Sequence, residues 1–262
     1  MAKKNEVAVK DQDENLPAEL LEEMSEDSGD GLQNVTSADM AIPFLRILQQ
    51  MSPQLSKRDG AYIEGAEEGQ IFNTVTGELW NADEGLVFIP CAFNFRHIEW
   101  KDRADGGGIV NTYPRGSELP SFETDKKNKM RTAENHILAP TAEHYGLIFD
   151  PVSGFAEQAV ISMSSTQLKC SRKWNSMMSQ QVLKTKQGNK PAPSYSRMYR
   201  LKTVGESNDD GNWSNWSISL EGPVADVDAY RMARAFSRSV NEGKVEAKHT
   251  SPDDETSAEA VM

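Results

Sequence analysis

One stretch of the sequence combines positive charge with aromatic rings and contains no acidic residue. Between Gln158 and Gly205 there are nine lysines and arginines and not one aspartate or glutamate. Ordinary protein surfaces mix charges of both signs, so this stretch predicts a basic face. Cations that contact phosphates and flat rings that contact bases are what a single-stranded nucleic-acid site requires. The cations are Lys169, Arg172, Lys173, Lys184, Lys186, Lys190, Arg197, Arg200 and Lys202.

Three aromatic rings, Trp174, Tyr195 and Tyr199, lie among these cations. If residues 194–204 form a strand, alternation places Tyr195, Arg197 and Tyr199 on one face. Two rings flanking a guanidinium would make a stacking platform for bases. The nine cations and three rings are therefore the candidate DNA-binding residues. The alternative is a protein-interaction module, a virion or assembly component or a transcription cofactor, whose basic face docks an acidic partner or the chain's own acidic tails.

The sequence offers no arrangement typical of an enzyme. It contains no GxSxG, Walker A or GxGxxG motif. Cys91 lies among apolar residues, and Cys170 lies beside Lys169, where a lowered thiol pKa is conceivable but no histidine is close in sequence. We therefore predict a non-catalytic protein with no cofactor and no metal. The histidines do not have metal-ligand spacing; they are His97, His136, His144 and His249.

The net charge of −12 is concentrated at the two ends of the chain. Residues 1–40 contain eleven acids and three lysines, and residues 251–262 contain four acids and no base. Both ends are poor in large apolar residues and predict disordered acidic tails over 1–40 and 246–262. The exception is Leu16 to Met24, an amphipathic stretch that could fold on a partner. Residues 41–245 remain as the nucleic-acid-binding domain, with a long loop at 101–142.

The clearest strand is 85–100, where Val87, Ile89, Cys91, Phe93 and Phe95 share one face by alternation. We assign Phe93 and Phe95 to the core, since lone aromatics on a strand are usually packed inside. A proline within this strand indicates an edge position or a bulge. The other predicted elements are a strand at 71–80, a strand pair at 144–163, a helix at 166–183, strands at 194–204 and 213–222, and a helix at 226–241.

The order of these elements predicts a mainly β fold with a few helices. A five-stranded Greek-key barrel of the oligonucleotide-binding type, the OB-fold, has its helix between strands 3 and 4. The helix at 166–183 takes that place if strands 71–80 and 85–100 come first, and the helix at 226–241 follows the barrel. Other small barrels and β-sandwiches share the same order.

The element order, the acid-free segment STQLKCSRKW…PSYSRMYRLKTV and the acidic C-terminus together resemble bacteriophage single-stranded DNA-binding proteins. The resemblance covers roughly residues 70–262 and lies in architecture and charge layout. It implies an OB-fold protein that coats DNA in replication and recombination. It also implies that the acidic tail contacts replication or recombination proteins and competes with DNA, although the terminal aromatic common in that family is absent here. No secretory signal or membrane span is evident, so we expect the cytoplasm, that of the host if the protein is viral.

Overall fold

A computed structural model describes residues 16–27, 30–31, 33–34, 41–102, 105–126, 128–209, 211–247 and 249. The chain divides into two compact units, residues 1–41 and 42–262. In the described part of the first unit, the amphipathic stretch forms helix α1 (Ala18–Glu26), in which no residue is buried. The remainder of the predicted N-terminal tail, and residues 250–262 of the predicted C-terminal tail, lie outside the described residues.

The described part of the second unit is mainly β, as predicted. Its helices are α2 (Leu168–Ser179) and α3 (Val227–Asn241), with short 3-10 turns at 53–55, 165–167 and 194–196. None of the helices in the described ranges is long and apolar enough to span a bilayer. The strands are β1 (Leu45–Ile47), β2 (Ile71–Asn73), β3 (Leu79–Trp80), β4 (Leu86–Trp100), β5 (Ile109–Pro114), β6 (Phe122–Thr124), β7 (Met130–Thr132), β8 (Ile137–Phe149), β9 (Ala156–Ser164), β10 (Val182–Thr185), β11 (Gly188–Pro191), β12 (Arg197–Asn208) and β13 (Gly211–Pro223).

The largest sheet has eight strands and curls into an open half-barrel. Strands β4, β8 and β9 form an antiparallel meander, and β12 returns along the other edge of β4 with β13 beside it. This part of the sheet therefore has the order β13-β12-β4-β8-β9. Farther along, β5 pairs with β4, and β7 and β6 continue from β8. Helix α2 connects β9 to the β10–β11 hairpin that precedes β12.

The predicted strand 71–80 is wrong in its placement, because it forms the β2–β3 hairpin of a separate three-stranded sheet with β1. This small sheet spans the open side of the half-barrel. Phe44, just before β1, bridges in parallel to Val160 of β9. On the other side, the Gln49 amide donates to the Ser214 carbonyl of β13 at 2.8 Å and accepts from the Ser214 amide at 2.9 Å.

The two helices of this unit cover opposite faces of the half-barrel. The α3 face includes Val87, Ile89 and Leu147, on which α3 packs. The α2 face includes Phe88, Ile148 and other apolar residues, on which α2 packs. Because side chains alternate along each strand, neighbouring residues such as Val87 and Phe88 belong to different cores. The segment after α3 also packs on the α3 face through Val245 and Ala247.

A β-bulge at Cys91 reverses the predicted alternation of β4. Pro90 lies opposite Gly146 and Ala92 lies opposite Tyr145, so Cys91 is an extra residue without its own partner on β8. An extra residue moves every later side chain to the other face. Phe93 therefore lies opposite His144 on the α2 face, not beside Ile89, and the assignment of Phe93 and Phe95 to one face with Val87 is wrong.

Three predicted boundaries differ from the structure. The loop predicted at 101–142 carries β5, β6, β7 and the start of β8, because β4 and β8 are long enough to extend beyond the half-barrel. The helix predicted at 166–183 ends at Ser179, and a hairpin follows it. The tail predicted from residue 246 begins too early, since Ala247 is 5% exposed and the His249 side chain 4% exposed.

Candidate nucleic-acid interface

Trp174 and Tyr199, two of the predicted stacking rings, lie inside the protein. Both are 0% exposed. The Trp174 indole stacks on the His144 ring at 4.5 Å between centroids and meets the Tyr199 ring edge-on at 5.7 Å. A ring without exposed surface presents no face to a base, so their assignment as stacking residues is wrong. The single large ring at the centre of α2 anchors this polar helix to the sheet.

The His144 imidazole, on which Trp174 stacks, is buried and neutral. Its Nε2 lies 2.9 Å from the Ser171 hydroxyl of α2, and burial lowers its pKa to about 3. Within the described residues, its Nδ1, the Trp174 indole N–H and the Tyr199 hydroxyl have no hydrogen-bond partner. Protonation of Nδ1 would therefore place an unpaired charge in the core, which is why the imidazole stays neutral.

Five of the predicted cations are exposed on α2 and on the hairpin that follows it, and we call them together the basic surface: Arg172 and Lys173 of α2, and Lys184, Lys186 and Lys190 of the β10–β11 hairpin. No ion pair joins any of the five to another residue in the described ranges. Lys190 donates only to the neutral Gln187 amide, at 2.9 Å. Their charges are therefore not neutralised by nearby carboxylates.

The four other predicted cations have different environments. Lys169 pairs with Glu206 at 2.8 Å, and Arg200 makes two hydrogen bonds to Glu221 at 2.9 and 3.2 Å. Two cations of the acid-free stretch are thus paired with Glu206 and Glu221, which follow that stretch in the sequence. Lys202 is exposed without an ion pair among the described residues, but alternation from Arg200, which lies opposite Val87, places it on the α3 face.

Arg197 has a structural position at the root of the hairpin. Its guanidinium donates to the Gln181 amide oxygen at 3.3 Å and to the Val182 carbonyl at 3.2 Å. After the hairpin, the Ser194 hydroxyl donates to the Cys91 carbonyl of β4 at 3.4 Å. The basic hairpin is therefore held next to the bulge in β4, only two residues from Phe93.

Tyr195, the third predicted ring, belongs to the α3 side of the molecule. It is partly buried, packs against the core of the α3 face and contacts the Tyr230 ring at 5.4 Å between centroids. It does not join the basic surface. The predicted platform of Tyr195, Arg197 and Tyr199 does not form, because Tyr195 lies in the 3-10 turn before β12 and packs on the α3 face, whereas Tyr199 is buried on the α2 face.

Sequence reasoning missed a cleft of about 400 Å³ on the other side of the hairpin root. We call it the ring cleft. Phe93 and Phe95 are only partly buried there. The Arg115 guanidinium lies 4.6 Å from the centre of the Phe95 ring, and the Phe93 ring lies 5.0 Å from the His144 ring under α2. The lining residues are Phe93, Asn94, Phe95, Arg96, Pro114 and Arg115.

Among the described residues, one group has potential metal ligands close together. Glu99, Glu134 and His136 each offer a ligand atom within 4.8 Å of the others. The Glu99 carboxylate already accepts from the Tyr113 hydroxyl at 2.7 Å and contacts His136 Nδ1 at 2.8 Å, so hydrogen bonds account for it without an ion. Cys170 is not activated, because burial and the nearby Glu206 raise its thiol pKa.

A second polar cluster lies buried on the α3 face and involves the C-terminal segment. The fully buried Glu143 carboxylate contacts the Arg96 guanidinium at 3.0 Å, His249 Nε2 at 2.7 Å and the Tyr145 hydroxyl at 3.0 Å. Arg96 also pairs with Glu246 at 2.6 Å. These contacts hold the chain after α3 against the sheet and use its charged groups internally.

Comparison with known proteins identifies a family. A family model described as Pam3 phage gp34-like protein matches residues 10–246, and the chain therefore belongs to this family. The predicted bacteriophage connection is confirmed at that level, while single-stranded DNA binding remains a prediction. No curated protein and no solved structure matches the chain.

Proposed function

We propose that this phage-family chain is a non-catalytic protein that binds single-stranded DNA in replication or recombination without sequence preference. The basic surface is the observation that carries the proposal. These five cations have no acidic partner among the described residues, whereas Lys169 and Arg200 of the same acid-free stretch pair with Glu206 and Glu221. Unpaired cations that project from a helix and a hairpin suit a flexible phosphate backbone.

The strand order supports the same proposal. The order β13-β12-β4-β8-β9, with α2 between the third and fourth of these strands along the chain, is the order expected of an OB-fold. We assign the half-barrel to that fold as a variant, in which the β1 sheet lies between β9 and β13 where the barrel would otherwise close. The OB-fold suits single strands, whose bases are accessible.

The acidic C-terminus supplies the proposed partner contacts. His249, the last described residue, is held on the α3 face, away from α2. The acids beyond it, Asp253, Asp254, Glu255 and Glu259, resemble a phosphate chain in charge. We propose that they compete with DNA for the basic surface and, when displaced by DNA, contact replication or recombination proteins.

The test is fluorescence anisotropy with a labelled oligo(dT) at several salt concentrations. A variant with Arg172, Lys173, Lys184 and Lys186 changed to Gln should bind more weakly. Its log–log salt slope should be shallower by up to about 3, since each lost phosphate contact on a single strand contributes about 0.7. A variant with Arg231, Arg234 and Arg238 of α3 changed to Gln has a similar charge change and should bind like the wild type.

Two results would contradict the proposal. The first is that the wild-type chain does not bind oligo(dT) even at low salt. The second is that the α2–hairpin variant and the α3 variant lose affinity equally, because binding would then follow overall charge. Duplex DNA of the same length should compete poorly.

A further inference from the structure

The ring cleft lies at a gap in the strand pairing of β4. On this edge, β12 pairs with residues 86–88 and β5 pairs with residues 96–100. No strand in the described part of the chain pairs with residues 89–95 on that edge, although β8 pairs along the opposite edge. Unpaired strand edges present backbone donors and acceptors to a ligand.

The peptide groups of Phe93 face this gap. The Arg115 amide donates to the Phe95 carbonyl at 3.1 Å, so the backbone of Phe95 points towards the β5 side. In an antiparallel strand, the N–H and C=O of one residue point to the same neighbour, and residues two apart point the same way. The N–H and C=O of Phe93 therefore point into the gap between the hairpin root and the end of β5.

The side chains around these backbone groups suit a flat, aromatic ligand. Phe93 and Phe95 project to the same face of β4, and both line the cleft. The Arg115 guanidinium already stacks on Phe95, as it would on a ligand ring. Pro114 closes the end of the cleft at the last residue of β5.

The ring cleft is linked by a short series of contacts to both elements that carry the basic surface. The Ser194 hydroxyl fixes the hairpin root to Cys91, and residues 91 and 93 of a strand lie about 7 Å apart. On the α2 side, the Phe93 ring contacts His144, which bonds to Ser171 one residue before Arg172. These contacts place the cleft close to the elements that carry the basic surface, and we expect a strand whose phosphates follow that surface to reach the mouth of the cleft.

We infer that the ring cleft binds a single unstacked nucleobase, an inference that rests on the proposed function. The base stacks on the Phe95 ring beside Arg115, and its Watson–Crick edge pairs with the N–H and C=O of Phe93. Each of the four bases carries an adjacent donor and acceptor on that edge, so the N–H and C=O of this one residue can pair with any of them. Binding is then base-dependent without being sequence-specific.

The test compares three 12-nucleotide strands of equal charge by competition anisotropy. These are oligo(dT), an oligo(dT) methylated at thymine N3, which keeps the ring but loses the N3–H donor, and an abasic strand. The wild type should bind the abasic strand about 5- to 150-fold more weakly than oligo(dT), the range for loss of one base–aromatic stack. The methylated strand should lie between the two.

Variants assign the preference to the cleft. Phe95→Ala, and Arg115→Lys, which keeps the charge but loses the planar guanidinium, should each reduce the preference for oligo(dT) over the abasic strand while leaving abasic binding and the salt slope unchanged. Phe155→Ala removes a ring that is 62% exposed in the β8–β9 turn and should retain the full preference. Phe95→Leu, which keeps apolar volume but not the flat ring, provides a second variant should Phe95→Ala lower stability.

The outcomes separate this inference from the proposed function. If the wild type binds oligo(dT) and the abasic strand equally, or if Phe95→Ala and Phe95→Leu leave the preference intact, the base site is overturned while strand binding stands. If the methylated strand binds as well as oligo(dT), the pairing with Phe93 is overturned. If none of the strands binds, the proposed function itself has failed.

Discussion

Helices α2 and α3 cover opposite faces of one sheet, and they differ in how their polar groups are used. In α3, the Asp226 carboxylate caps the N-terminus by accepting from the Ala229 amide at 2.7 Å. The helix buries four apolar residues, and Asp228 pairs with Arg231 at 3.2 Å within its first turns. These features are typical of a helix that stabilises a fold. The buried apolar residues are Ala229, Ala233, Phe236 and Val240.

Helix α2 lacks most of these features. It has no side-chain cap hydrogen bond and no acidic residue in its first turn. Only Ser171 and Trp174 are buried, and Leu168, Met177 and Met178 pack on the sheet while remaining partly exposed. Arg172 and Lys173 have no ion pair within the described ranges.

The difference between the two helices indicates that the α3 face stabilises the fold and that the α2 side is available for a partner. On the α3 face, the buried groups of Glu143, Arg96 and His249 contact one another inside the chain. On the α2 side, an acid-free helix, a basic hairpin and a gap in strand pairing leave charges and backbone groups available. A surface whose polar groups are satisfied internally serves the fold, whereas one whose charges are not is suited to a partner.

Loss of the buried ring on either face should lower the stability of the protein by a similar amount. Trp174→Ala and Phe236→Ala should each lower the free energy of unfolding by about 3–5 kcal/mol, since each removes a fully packed ring. Urea denaturation measures the effect. Lys173→Ala, next to Trp174 but exposed, should stay within about 0.5 kcal/mol of the wild type. If Trp174→Ala kept full stability and lost only DNA binding, the indole would be a stacking ring after all.

Removing one partner from the buried ion pair on the α3 face should lower the stability of the protein. Arg96→Met leaves the Glu143 carboxylate buried without its guanidinium and should lower the free energy of unfolding by about 3–5 kcal/mol. Arg200→Met breaks the more exposed pair with Glu221 and should cost less than about 1 kcal/mol. Equal effects in thermal or urea unfolding would mean that the Glu143 cluster does not secure the C-terminal segment.

The stability of the protein should depend on pH through His144, which is buried on the α2 face. Its pKa is about 3 in the folded protein, because it is buried, against about 6.5 when unfolded. Between these values the unfolded chain binds the extra proton, so stability is fully present above about pH 6.5 and falls as the pH falls towards 3. The slope from this one group is at most about 1.4 kcal/mol per pH unit.

The His144 contribution can be isolated by difference. His144→Gln should unfold with a shallower pH dependence than the wild type between pH 4 and 6.5, measured as the urea midpoint at each pH. Glu and Asp titrations are common to both proteins and cancel in the comparison. Parallel curves for the two proteins would show that His144 is not buried neutral.

The smallest predicted effect separates two exposed lysines. Lys186→Gln, in the basic hairpin, should make the salt slope of oligo(dT) binding shallower by about 0.7, the contribution of one phosphate contact. Lys202→Gln, on the α3 face, should leave the slope unchanged. If both substitutions changed the salt slope equally, the DNA interface would also include the α3 face.

The sequence alone indicated much of the architecture and charge layout. Alternating apolar residues identified the β4 strand, and local signals predicted a last helix at 226–241, which the structure has at Val227–Asn241. The missing acids between Gln158 and Gly205 identified the segment that carries the basic surface. Pro90 even indicated a bulge in β4.

Only the tertiary structure decided which rings are buried and which cations are free. A bulge moves every following side chain to the opposite face, and the sequence does not say which residue is the extra one. Alternation therefore placed Phe93 and Phe95 on the face of Val87, whereas both pack, partly buried, against the core of the α2 face. Trp174 and Tyr199 are buried because His144 and Phe88, far away in sequence, close around them. Likewise, Glu206 and Glu221 lie outside the acid-free stretch but reach Lys169 and Arg200 across strand pairings, and such long-range contacts set the local charge.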